Sequence, residues 1–299
     1  MNLPALPAGI TAATLHGIDV LRVETALSTT LLSLYGGQVL SFAPRGFDDL
    51  LWLSPTSTRP PSAVRGGVPV CWPYFGREGQ PQGVPQHGHA RLARWQLTAA
   101  RAQADGGMHL SLALPMREDV PLELGMSLHL GRELRQSLDT VHRGDAPCVL
   151  TQALHTYFRV GDAMQVRVAG LDGLAYADKH DGGRHVQAGD WSLRDARDPG
   201  RSDRIYTGTG HRFDLFDPVA ARRIRLETFG SRSLVAWNPG AAGARAIADM
   251  PDEGWRDFVC LEAANAGDDA IELEPGQRHR LSHMISVAPL SPAVPADAL

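Results

Sequence analysis

The chain has 299 residues, 43% of them hydrophobic and 21% charged, a balance that suits a folded globular protein able to bury a core without disulfides or structural metals. With 33 acidic and 29 basic residues the formal charge is −4, which excludes the broad basic field that nucleic acid or an anionic membrane surface would require. Length alone would allow two domains, but all-β chains commonly reach this order of size as one, so a single domain over 1–288 is expected.

Cys71, Cys148 and Cys260 are odd in number, far apart and free of CxxC or zinc-type spacing, which points to a reducing, cytoplasmic setting. The first twenty residues lack a basic start followed by a long apolar core. No later stretch approaches the roughly 20 apolar residues of a membrane span, so a soluble, unexported protein is expected.

In chain order, 18–26, 29–37 and 38–44 are short apolar alternations punctuated by Gly and Pro, the pattern of a strand meander, and 48–55 (DDLLWLSP) continues it. A loop-rich segment, 65–94, then leads into strand patterns at 93–102 and 108–115. From Leu122 the residues Leu124, Met126, Leu128 and Leu130 recur at every second position, which places them on one face of a strand. Further strands are expected in 148–162 and 164–171, then a polar surface excursion over 178–201, then strands to about residue 288. A short helix is expected near 244–250, before Pro251. From Pro289 the chain is Pro/Ala-rich and is expected to fray. Many short strands without long helical crossovers argue for a mainly β fold, an antiparallel sandwich or barrel with a few short helices.

The segment 65–94, RGGVPVCWPYFGREGQPQGVPQHGHARLAR, has no helical period, and its glycines and prolines shape a loop. Arg65, Arg91 and His87 beside Trp72, Tyr74 and Phe75 suit a polar ligand with flat faces and hydroxyl or anionic edges, which a sugar or sugar phosphate offers. His87 and His89 form an HxH, which in an extended chain would put both rings on one side. The residues that follow supply two arginines instead of a third ligand, so no metal is expected there.

Two further residues stand out. His155, in QALHTYFRV, shares a strand face with Tyr157 and Arg159, either as a half-exposed surface histidine or as part of a polar site. Glu262, in DFVCLEAAN, follows an apolar run and shares its face with Cys260 and Phe258; burial would raise its pKa toward a general base's range, unless it is an edge glutamate or an arginine's ion-pair partner. Cys71 and Cys260 read as small apolar fillers.

Six segments, RGGVPVCWPYFG at 65–76, PQHGHAR at 85–91, ALHTYF at 153–158, SDRIY at 202–206, VAWNP at 235–239 and ADMPDEGWRDFVCLEAAN at 248–265, resemble the galactose-mutarotase-like superfamily. The branch they resemble is that of the D-hexose-6-phosphate mutarotases, or glucose-6-phosphate 1-epimerases. The resemblance implies a β-supersandwich with one open cleft, no metal and no cofactor. It implies that His155 and Glu262 are the acid/base pair, that His87 and Asp203 bind ring oxygens or hydroxyls, and that Arg65 and Arg91 reach a phosphate. The partner expected is a small-molecule sugar or sugar phosphate, with no nucleic acid and no membrane, and the protein is expected to be a monomer. Two positions depart from the pattern: His89 stands where an aromatic such as Phe is expected, and no lysine follows WNP, where Arg245 is the nearby cation. Mutarotation of unphosphorylated sugars and a non-catalytic sugar-binding module are the alternative functions.

Overall fold

A computed structural model of the chain describes residues 6–77, 79–208 and 210–290. Two eight-stranded antiparallel sheets make the body, with a four-stranded sheet formed by the first strands of the chain and a two-stranded ribbon of Cys148–Leu150 and Ile271–Leu273. One large sheet runs, edge to edge, through strands beginning at Arg167, Arg212, Arg222, Arg278, Leu134, Leu122, Met108 and Gln96. Its strand Leu122–Leu130 buries every second residue, as the period of two requires, and pairs as a hairpin with Leu134–His142, Leu130 opposite Leu134.

The other large sheet carries the site. Its order is Arg184–Val186, Ala175–Asp178, Ser202–Thr207, Ser233–Asn238, Phe258–Asn265, Gln152–Leu154 and Val70–Cys71, with Tyr157–Arg159 also paired to Phe258–Asn265. Residues of both sheets join one hydrophobic core, in which Leu261, Leu154 and Phe158 meet Leu138, Leu281 and Ile285. Trp72 spans the layers and donates from Nε1 to Thr140 Oγ1 at 3.0 Å. A smaller cluster of Cys71, Phe75, Ala153, Ile205, Val235, Ala264 and Ala266 covers part of the site sheet's remaining surface. All eight residues of Phe258–Asn265 are therefore buried, and a carboxylate on that strand is held away from water.

Several elements differ from the sequence expectation. Ile10–Leu15 is a strand that alternation did not mark, because only Ile10 on it is buried; it pairs with Ile18–Glu24 across a tight turn in which His16 and Gly17 both have positive φ. The 48–55 run makes only isolated bridges, Leu51 to Phe158 and Leu53 to Gly66. The polar stretch 178–201 is not wholly superficial: it contains the strand Arg184–Val186 and buries Trp191 and Leu193. The helix is Gly240–Ala246, earlier than expected, and its first N–H donates to Asn238 Oδ1 at 2.9 Å. The last strand, Arg278–Pro289, runs one residue into the segment expected to fray, and the Leu290 N–H donates to Ala221 O; residues 291–299 lie outside the described residues.

Candidate active site

His155 and Thr156 interrupt the strand expected through 152–159, yet the register is unbroken across them. Leu154 pairs with Ala263 and Tyr157 with Cys260, which leaves His155 and Thr156 opposite Glu262 and Leu261. The His155 N–H donates to Pro69 O and the Leu261 N–H to Thr156 O, so the backbone is tied on both sides. The expected alternation of core and solvent faces fails here because both faces are covered; only Arg159 emerges.

The consequence is a buried pair. His155 Nε2 lies 3.3 Å from Glu262 Oε1, with side-chain exposures of 11% and 1%. Glu262 Oε2 and His155 Nδ1 are buried without a hydrogen-bond partner, and buried polar atoms of that kind are costly to leave unmatched. Both ionisations are opposed. Burial, and then Asp203, push the Glu262 carboxyl well above its ordinary range, with Lys179 acting the other way. Burial, then the charges of Arg91 and Arg65, bring His155 down to about 3. Both effects favour the pair's proton on the carboxyl and a neutral imidazole.

Aromatic rings fix the imidazole. Tyr157 stacks on His155 at 4.9 Å and 10°, while Trp237 and His87 meet it edgewise at 5.9 and 5.8 Å. Around the pair lies a cavity of about 330 Å³, within the size range of small-ligand sites. Its walls include all six residues singled out in the sequence: Arg65, His87, Arg91, His155, Asp203 and Glu262.

The loop 65–94 delivers three of these groups, Arg65, His87 and Arg91, by backbone geometry. His87 has φ 64° and Gly88 φ 72°, and a Cβ on Gly88 would stand 2.2 Å from Trp72 O, so only glycine fits. This pair of left-handed residues breaks the extended HxH. His87 enters the cleft, whereas His89 is outside its lining. The Gly76 N–H donates to His87 Nδ1 at 3.2 Å, which leaves the proton of the neutral ring on Nε2. Burial, followed by Arg91, His155, Lys179 and Arg65, keeps that ring neutral by lowering its pKa well below the ordinary value. Of the aromatics singled out on this loop, Phe75 lines the cavity; Trp72 is the interlayer residue described above and Tyr74 is not in the lining.

The two arginines differ in their surroundings. Arg65 donates from Nε to Asp249 Oδ1 at 2.6 Å and from Nη1 to Tyr157 OH at 3.3 Å. Arg91 donates from Nη2 to Gln86 O at 2.8 Å, its Nε is buried without a partner, and no ion pair holds it among the described residues. Arg245, the cation after WNP, is exposed, 4.0 Å from Glu253, and outside the cavity.

Lys179 was missed. It follows the strand Ala175–Asp178 and lies in the cleft wall, its Nζ 5.5 Å from the Phe75 ring centre. A signal was available: of the 29 basic residues only this one is lysine, the other 28 being arginines. Trp237 and Gln86 also line the cavity and were not singled out. His155, Cys260 and Glu262 place one ligand atom each within 4.8 Å of one another, the one such cluster among the described residues.

Comparison with known proteins agrees with this architecture. A protein of Escherichia coli (strain K12) named "Putative glucose-6-phosphate 1-epimerase" is 35% identical over 262 residues, covering 85% of each chain. One of the same name from Salmonella typhimurium is 34% identical over 285 residues, 92% of each. Among solved structures, one described as a putative mutarotase from Salmonella typhimurium superposes with a TM-score of 0.85 at 31% identity, covering 96% of this chain and 97% of that one. The family model described as aldose 1-epimerase matches residues 19–286, and the chain belongs to that family.

Proposed function

We propose that the chain is a mutarotase that interconverts the α and β anomers of an aldohexose 6-phosphate, glucose 6-phosphate first among them. The observation that carries this reading is the His155–Glu262 pair at 3.3 Å, set in a cleft walled by Arg65 and Arg91. Glu262 takes the proton of the C1 hydroxyl as His155 gives its proton to the ring oxygen. The C1–O5 bond breaks and C1 becomes an aldehyde carbon. Rotation about C1–C2 turns the other face of the carbonyl to the C5 hydroxyl, and the reverse transfers close the ring.

The working charges are the reverse of the resting ones. The pair's proton must sit on the imidazole before the step, so a ligand that hydrogen-bonds to Glu262 Oε2 and His155 Nδ1 favours the productive form. Mutarotation proceeds unaided in water, and acid/base assistance of about 10²–10⁴-fold per group with positioning is sufficient. His87 and Asp203 are assigned to ring or hydroxyl oxygens and the two arginines to the phosphate, whose oxygens suit guanidinium forks.

The names of the relatives at 35% and 34% identity support the phosphorylated substrate. One observation favours unphosphorylated sugars as a second reading: Arg65 is already neutralised by Asp249 at 2.6 Å. Polarimetry or saturation-transfer NMR on freshly dissolved α-anomers of glucose, galactose and their 6-phosphates ranks the candidates. A higher kcat/KM for the 6-phosphates is expected; parity with the free sugars would select the second reading.

A further inference from the structure

Three cations, Arg65, Arg91 and Lys179, line the cleft. On the His155 side, Arg65 bonds to the Tyr157 hydroxyl at 3.3 Å and Tyr157 lies flat on the imidazole, while Arg91 lines the wall near His87, whose ring touches His155 edge-on. Asp249 balances Arg65, but no described carboxylate lies within ion-pair distance of Arg91. Lys179 lies beside Phe75, whose ring meets His87 edge-on, and Asp203 stands in the same wall. The remaining groups around His155 are Cys260 and Glu262 from the adjoining strand, Trp237 beyond them, and His283 behind Thr156 on the core face. No carboxylate other than Glu262 faces the imidazole within ion-pair distance among the described residues.

We propose that an anion seated on Arg65 and Arg91 transfers the pair's proton from Glu262 to His155, so that the substrate's phosphate switches on the acid as well as holding the sugar. The inference rests on the 6-phosphate reading above. Its physical basis is that an imidazolium beside unbalanced guanidinium charge inside a protein is repelled strongly, and a phosphate dianion on those guanidiniums cancels the repulsion where screening by water is weak. C6 is bonded to C5, which carries the ring oxygen that His155 protonates, so a phosphate on C6 lies on the His155 side of the ring. The same repulsion accounts for part of the resting proton's place on the carboxyl, since Arg91 and Arg65 both lower the affinity of His155 for it. Each pKa unit returned to His155 raises its protonated fraction about tenfold. A phosphorylated sugar would then differ from a free one in kcat and not only in KM, which an affinity handle does not produce.

The test separates the sugar from its phosphate. Xylose has the ring of glucose without C6, and its enzyme-dependent mutarotation is followed with and without phosphite dianion, subtracting the reaction that phosphite catalyses in solution. Phosphite is expected to raise kcat for xylose by about tenfold or more, saturably, with the ¹⁵N shifts of His155 moving from neutral to imidazolium values. Arg91→Met, which removes the unbalanced charge, is expected to turn xylose over faster than the parent without phosphite and to respond to it weakly. If phosphite only inhibits, or leaves kcat and the His155 shifts unchanged while glucose 6-phosphate keeps a lower KM than glucose, the switch is wrong and the 6-phosphate reading stands. Parity of glucose 6-phosphate with glucose in both constants would overturn both.

Discussion

Glu262 Oε1 and His155 Nε2 face one another at 3.3 Å across paired strands, each residue with its other polar atom buried and unmatched. Burial opposes charge on both groups, so the pair holds one proton between them. Glu262→Gln retains the shape of the resting, protonated carboxyl, and its stability is expected to stay within about 1 kcal/mol of the parent's. Its turnover, and that of His155→Asn, should fall by about 10²-fold or more with sugar binding retained, as polarimetry and calorimetric titration would read. Near-parental rates in both variants would make the pair structural.

Activity against pH should be bell-shaped, because the productive pair carries a single proton: gaining a second silences Glu262 and losing the last one silences His155. Glucose 6-phosphate kinetics from pH 5 to 10 are the measurement. A flat profile would mean that neither group transfers a proton in the rate-limiting step.

Stability responds to acid through a different histidine as well. His155 and His283 are both buried and brought down to about 3, from an ordinary value of 6.5, burial being the leading cause in each. Below pH 6.5 the unfolded chain takes up a proton at each that the folded chain refuses. The folding constant should therefore fall by about tenfold per pH unit for each residue until about pH 3. Glu262 has the opposite sign: its raised pKa weakens the fold as pH rises above 4.5, where the unfolded carboxyl ionises. His283→Gln, outside the cleft lining on the core side of Thr156, should flatten the loss of urea midpoint between pH 7 and 4 by one proton's worth. An unchanged slope would show that His283 is not what titrates.

Lys179→Met should reduce kcat/KM by about tenfold for glucose and glucose 6-phosphate alike, because Lys179 lines the cleft beside Phe75 and, unlike Asp203, favours the ionised form of Glu262. Its side chain is exposed, so Tm should not move. A loss confined to the phosphorylated sugar would place Lys179 at the phosphate instead.

Chelation should leave the rate unchanged, since a buried acid and base suffice for ring opening. The cluster of His155, Cys260 and Glu262 makes this a sharp test. Activity lost on dialysis against EDTA and restored by one divalent ion would replace the acid/base reading with a metal-assisted one.

The sequence exposed this site unevenly, for physical reasons. Leu122 to Leu130 were legible because one face of their strand meets the core and the other does not. Residues 152–159 misled as a simple alternation because core and cleft bury both faces, and the break at His155 leaves no mark in composition. Glu262 was legible as a carboxylate at the end of an apolar run, and its burial followed. The HxH was misjudged because nothing in the letters distinguishes an extended His-Gly-His from one with positive φ at His87 and Gly88. Lys179 lay in a stretch read as surface, on a strand end that long-range pairing with Ser202–Thr207 carries to the cleft.

That lysine gives the chain an unusual chemical address. Ring opening releases a free aldehyde, and primary amines condense with aldehydes to Schiff bases, whereas guanidinium groups stay protonated and unreactive at neutral pH. A protein with 28 arginines and one lysine offers a sugar a single side-chain amine, and that amine borders the cavity proposed for ring opening. Borohydride added during turnover would therefore write a permanent record of the open-chain intermediate on one peptide, and slow glycation in an ageing enzyme would accumulate at the same place.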